Sequence, residues 1–171
     1  DGTIDNPYRL NGDNDTNLSG TLLNTRYSGE YIRFGSGENN LYRIVSHETR
    51  GLTKITSAES LKSSGSFITS AFGSDVTFSS INTIGAFLNG EYLTNYIDSE
   101  YSNMIEDNTT WYLGTVGSGT SYKVAKYIDI NESAATTNAN VGLLRMGELM
   151  AGQFNRYENN VTYWTLTPYD S

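Results

Sequence analysis

The sequence predicts an α+β domain dominated by short strands and long loops. Three observations carry this. Thirteen Tyr, six Phe and two Trp supply enough ring area to build a core, so disorder is excluded despite only 37% hydrophobic residues. Charged residues make up just 18%, below the roughly 25% usual in globular domains. Ser, Thr, Asn and Gly take their place, and these favour turns and strand edges over helix interiors. The best helical stretch, 81–98, carries an apolar stripe at three-to-four spacing. At 171 residues the chain is long enough for one domain and short for two.

The elements follow in order. Residues 1–29 are turn-rich, and Asn11 to Asn17 has no apolar side chain, which predicts a loop. Residues 30–56 read as a three-stranded meander. Its strands are Tyr31–Phe34, Leu41–Val45 and Leu52–Thr56, separated by a hairpin loop at 35–40 and a turn at Thr49-Arg50-Gly51. Residues 57–80 are Ser-rich and aperiodic, carrying Phe67, Phe72 and Phe78. Over 81–98, Ile84, Phe87, Leu88, Tyr92 and Tyr96 form the helical stripe, with Asn82 or Thr83 as its cap. Gly90 weakens that helix by about 1 kcal/mol relative to Ala. A second short helix is expected over Ser99–Glu106. Strands are expected at Thr110–Leu113 and Tyr122–Ile130, then a polar loop at 131–140. A buried-type strand at Val141–Arg145, a short helix at Met146–Gln153 and a last strand at Val161–Leu166 complete the prediction.

The formal net charge of −8 disfavours nucleic acid and anionic lipid surfaces as partners. The absence of Cys excludes disulfides, thiolate metal sites and Cys nucleophiles. No run approaches the roughly 18 apolar residues of a membrane span, so no membrane insertion by this segment is expected. With no initiating Met and no leader, the chain reads as a processed segment.

The candidate chemistry is sparse. His47 is the single His and has no second His or Cys for a zinc site. No Gly-x-Ser-x-Gly elbow surrounds any Ser. The acid pairs Asp98/Glu100 and Glu106/Asp107 fit a solvated helix end better than two carboxylates facing across a glycosidase cleft. The reading is therefore non-enzymatic, with no cofactor. Asn11, Asp13 and Asp15 have the alternate oxygen spacing that suits calcium, but Thr16 and Leu22 stand where an EF-hand needs Gly and Glu. They are a weak metal candidate. Asn-x-Ser/Thr at Asn14, Asn17, Asn108, Asn131 and Asn160 is expected by chance in so Asn-rich a chain. Tyr beside Asn and Ser is good contact chemistry, combining a rigid ring with adaptable hydrogen bonds. Tyr27, Tyr157 and Tyr169 lie in loop contexts and are the contact candidates.

The order of landmarks carries a resemblance. Leu41-Tyr42-Arg43-Ile44-Val45 and Lys54-Ile55-Thr56-Ser57 are followed by Phe87-Leu88-Asn89-Gly90-Glu91-Tyr92-Leu93. Then come Trp111-Tyr112-Leu113-Gly114, Val141-Gly142-Leu143-Leu144 and Tyr163-Trp164-Thr165-Leu166-Thr167-Pro168. Over residues 30–168 this resembles an uncharacterised family of Gram-positive extracellular domains similar to C-type-lectin-like domains. The resemblance implies small antiparallel sheets, one or two flanking helices and long loops, in a domain spanning 30–171. It implies an extracellular, cell-surface location and no established activity. The Glu-Pro-Asn, Gln-Pro-Asp and Trp-Asn-Asp signatures of sugar-binding lectins are absent, so sugar binding is not carried over. Such domains continue through two more strands after the Trp-x-x-x-Pro element. The end at Ser171 therefore predicts a C-terminally incomplete sheet whose open edge pairs with another copy or another protein. The functional expectation is a stalk, pilin-like or fibre subunit, or an adhesin. A glycan-binding lectin-like module is the alternative.

Overall fold

The computed structural model describes residues 1–12, 14–18, 20–73, 75, 77–78, 80–112 and 136–151. The fold is mixed α+β, with three small sheets and four short helices among the described residues. No helix there is long and apolar enough to cross a membrane. The chain forms two compact units. Unit 1 comprises Asp1–Thr69 and Tyr92–Glu106; unit 2 comprises Ser70–Glu91 and Asp107–Ser171.

Unit 1 is built on a four-stranded sheet in the order β1-β2-β3-β4. The strands are β1 (Tyr8–Arg9), β2 (Tyr31–Arg33), β3 (Leu41–His47) and β4 (Thr53–Ser57). The meander β2-β3-β4 is antiparallel, as the sequence predicts. The sheet is not wholly antiparallel, because β1 adds parallel to β2, pairing Tyr8 with Ile32 and Arg9 with Arg33. A two-residue strand has no period to read, which is why 1–29 reads only as turns.

Tyr31 and Ile32 on β2 are both buried, as are Tyr42, Arg43, Ile44 and Val45 on β3. Consecutive buried residues mean that both faces of these strands are covered. That explains their weak alternation in sequence. A register shift between Ile44 and Ser46 marks a bulge in the β3–β4 ladder. Ile32 and Ile44 are fully buried at the centre of the core.

The β2–β3 loop is held by side chains acting as substitute backbone. Asn39 pairs with Lys62 like a strand neighbour, donating from Nδ2 to the carbonyl at 2.8 Å and accepting the amide at 2.8 Å. The Glu38 carboxylate accepts the backbone N–H groups of Ser64 and Gly65, each at 2.9 Å. These contacts dock the small hairpin of β5 (Lys62–Ser63) and β6 (Ser66–Phe67). Gly35 turns at φ +113, a value that L side chains rarely adopt. The next residue, Ser36, donates its N–H and its hydroxyl to Asp98 Oδ2 at 2.8 and 2.7 Å. Those hydrogen bonds hold the exposed Asp98 carboxyl below its ordinary range. Asp98 also precedes α3 (Ser99–Ser102), the second short helix predicted from sequence.

Tyr42 and Tyr92 share a hydrogen bond between their buried hydroxyls. Burial pushes the Tyr42 phenol well above its ordinary 10.0, and the Tyr92 neighbour adds to the rise. Tyr42→Phe strands the Tyr92 hydroxyl, an expected loss of about 1–3 kcal/mol in urea unfolding. The double variant Tyr42→Phe/Tyr92→Phe should lose less than the sum of the two singles, because no buried hydroxyl is then left unpaired. Additive losses would refute the pairing. A raised folded-state value also means that this pair's stabilisation is full below pH 10.0 and declines as pH climbs towards the folded value. Alkaline unfolding should therefore be shallower in the double variant.

In unit 2 the predicted helix over 81–98 is broken in two. The pieces are α1 (Ile84–Leu88) and α2 (Glu91–Asn95), the second of which continues into unit 1. Thr83 caps α1, accepting the Ala86 N–H. The break falls at Asn89-Gly90, where the Asn89 side chain bonds elsewhere and Gly90 lowers the cost of stopping. β7 (Thr109–Tyr112) pairs antiparallel with β8 (Thr136–Ala139), inside the segment predicted to be a polar loop. Val141–Arg145, predicted as a strand, is irregular and half-buried. α4 (Met146–Ala151) forms within the predicted short helix. The strands predicted at Tyr122–Ile130 and Val161–Leu166 lie outside the described residues.

Candidate functional site

Two surfaces gather the exposed contact chemistry, one in each unit. In unit 1 the centre is Arg26. Its Nε and Nη2 donate to the two carboxylate oxygens of Glu30 at 3.1 and 2.8 Å, a forked ion pair. The hydrogen bond to Glu30 raises the Arg26 value above the usual range despite opposing desolvation. The guanidinium lies 4.8 Å from the Tyr8 ring centre and 5.5 Å from that of Tyr27. Tyr8 is buried, while Tyr27 is 70% exposed. Glu30 also accepts the Tyr27 N–H at 2.9 Å. A buried ring, a fixed cation and an exposed ring are thus stacked in order. Tyr27 is presented to solvent on a braced support.

His47 supports the same turn. It closes β3, and its Nε2 donates to the Arg26 carbonyl at 2.5 Å. A carbonyl only accepts, so Nε2 carries the proton. In the neutral ring Nδ1 then accepts from the Thr53 hydroxyl at 3.1 Å. Both ring nitrogens are committed to holding the loop.

In unit 2, Phe78, Gly85, Ala86, Asn89, Asn108, Asn138, Ala139 and Asn140 line a cleft of about 230 Å³. Gly85 is required there: a Cβ would collide with the Phe78 carbonyl oxygen and lie 2.7 Å from its ring. Asn89 organises one wall. Its Nδ2 donates to the carbonyls of Gly85 and Val141, and its Oδ1 accepts the N–H groups of Asn140 and Val141, all at 2.9 Å. Asn140 in turn accepts the Asn108 N–H and donates to Asp107, both at 2.8 Å. Asn138 Oδ1 accepts the Thr110 hydroxyl at 3.2 Å. Among the described residues, the Asn108 amide side chain and the Nδ2 of Asn138 make no hydrogen bond. Both residues are exposed at the cleft.

The other sequence candidates fare differently. Asp13 lies outside the described residues. Asn11 Nδ2 donates to the Thr16 carbonyl at 2.6 Å, and Asp15 Oδ1 accepts the Thr16 N–H at 2.9 Å. These two side chains brace their own loop. No group of three or more His, Cys, Asp or Glu that could hold a metal occurs among the described residues. Tyr157 and Tyr169 lie outside the described residues. Glu106 pairs with Arg50 at 2.6 Å, Asp107 accepts from Asn140 and Asp98 from Ser36, so three of the four paired acids are engaged in structural contacts.

Tyr27 is legible in the sequence from its loop setting; Arg26, Glu30 and the asparagine network emerge only in the structure. The i,i+4 spacing of Arg26 and Glu30 was a usable signal. Asn89 interrupting an apolar stripe just before Gly90 was another. Comparison with protein-family models, curated proteins and solved structures finds no match.

Proposed function

We propose that this chain is a non-enzymatic contact module of a bacterial cell surface: an extracellular stalk, pilin-like or fibre subunit, or an adhesin, with a C-type-lectin-like fold. The observation that carries this reading is Tyr27, 70% exposed and stacked on a guanidinium that Glu30 fixes. An aromatic side chain held in place loses little freedom on docking, which is the chemistry of a contact anchor. Leu22, five residues earlier in the chain, is also exposed. The partner is a protein, and a second copy of this chain is the first to test.

The open edge of the sheet supports self-association less strongly. Among the described residues β4 pairs only with β3. Yet β4 carries Lys54, and β3 beside it is bulged; natural sheets use both features to discourage edge pairing. The Tyr27 surface is therefore the favoured contact.

Size-exclusion chromatography with light scattering tests this. Concentration-dependent association is expected, weakened about 30-fold by Tyr27→Ser if the ring is an anchor worth about 2 kcal/mol. A monomer at all concentrations, or association indifferent to Tyr27, would refute the self-contact.

A second reading, a carbohydrate-binding module, is favoured by the amide-lined cleft of unit 2. The Asn108 amide and the Asn138 Nδ2, which make no hydrogen bond among the described residues, offer donors and an acceptor that suit vicinal hydroxyls. A glycan array with and without calcium, repeated on Asn138→Ala, separates the two readings.

A further inference from the structure

The sequence contains two Asn-Gly steps, Asn11-Gly12 and Asn89-Gly90. We propose that Asn11 is a site of spontaneous deamidation in the folded protein and that Asn89 is protected from it. This inference is independent of the functional reading.

The chemistry needs only the chain and water. The Gly12 backbone nitrogen loses its proton and attacks Asn11 Cγ, forming an N–Cγ bond and a five-membered succinimide. The Cγ–Nδ2 bond breaks, and the amide nitrogen leaves as ammonia with the proton taken up. Water then opens either ring carbonyl, giving Asp or isoaspartate at position 11. Glycine makes the step easy because no Cβ crowds the attacking nitrogen.

The two sites differ in what must be broken first. Asn11 is exposed, and its side chain makes one hydrogen bond, to the Thr16 carbonyl. The Gly12 N–H makes none among the described residues, and nothing lies within 4 Å of where a Gly12 Cβ would stand. Asn89 is half-buried with its amide in four hydrogen bonds, and the Gly90 N–H donates to the Phe87 carbonyl at 3.3 Å. Rotating Asn89 into the attack geometry breaks all four of those side-chain bonds together.

The product is not neutral for the loop. The donor that reached Thr16 is replaced by a carboxylate oxygen, which repels the same carbonyl. One negative charge is added to a chain already at −8.

The test is incubation of the full chain at mildly alkaline pH, folded and in urea, followed by peptide mapping with tandem mass spectrometry. In the folded protein the Asn11 peptide should gain about one mass unit and split into Asp and isoaspartate forms. The Asn89 peptide should stay intact; in urea both should convert. Gly12→Ala, which has room for its methyl, should slow conversion at Asn11 several-fold in the folded chain. Equal rates at the two sites when folded, an Asn11 that converts only in urea, or a Gly12→Ala rate equal to the parent would each overturn the assignment.

Discussion

Asn89→Ala should destabilise unit 2 by about 3 kcal/mol, because it removes four hydrogen bonds worth roughly 0.5–1.5 kcal/mol each and one wall is partly open to water. The side chain ties α1 to residues 140–141, so its loss leaves two N–H groups and two carbonyls without that partner. Urea unfolding followed by tryptophan fluorescence measures the loss. Asn89→Asp is a sharper test. It keeps the shape and both acceptor positions, but an oxygen now faces the carbonyls of Gly85 and Val141. It should be as damaging as Ala at neutral pH and recover partly in acid, where the carboxyl regains a donor. A loss under about 1 kcal/mol for Ala, or no acid recovery for Asp, would show that the network is incidental.

Ile44→Ala should cost about 3–4 kcal/mol, within the roughly 2–5 kcal/mol observed for emptied core positions. Ile44 has no exposed surface, faces Ile55 across the ladder, and sits where both faces of β3 are covered. Ile44→Val removes one methyl and should cost about 1 kcal/mol. The slope of the urea transition should be unchanged in both, since the surface exposed on unfolding is nearly the same. Equal costs for Val and Ala would mean that the core relaxes into the space.

The meander of unit 1 was legible because Tyr31–Arg33, Leu41–His47 and Thr53–Ser57 combine strand-forming residues with clear turn signals at 35–40 and 49–51. The pattern failed where polar groups do the structural work. β8 is Thr-Thr-Asn-Ala, with no apolar period. It is held by cross-strand bonds such as Thr109 Oγ1 to the Ala139 carbonyl at 2.9 Å and Trp111 Nε1 to the same oxygen at 2.9 Å. Val141–Arg145 looks like a strand by composition, yet Asn89 occupies the backbone groups at its start. The break between α1 and α2 has the same origin. Of the contact chemistry, Tyr27 was visible from its loop setting. Its support was not, because the stacking of Tyr8 on Arg26 joins residues that no period links.

The hydrogen bond between Tyr42 and Tyr92 spans 50 residues, and the chain leaves unit 1 and returns between them. On a ribosome adding roughly 5–20 residues per second, Tyr42 is added some 3–10 seconds before its partner. The clasp of Ser36 on Asp98 waits longer still, across 62 residues. Throughout that interval the meander can assemble from its own local pairings, but the phenol of Tyr42 has only water to bond. Closure of unit 1 is thus timed by translation of residues 92–106, and a nascent chain halted before them carries a finished sheet with an unfinished core.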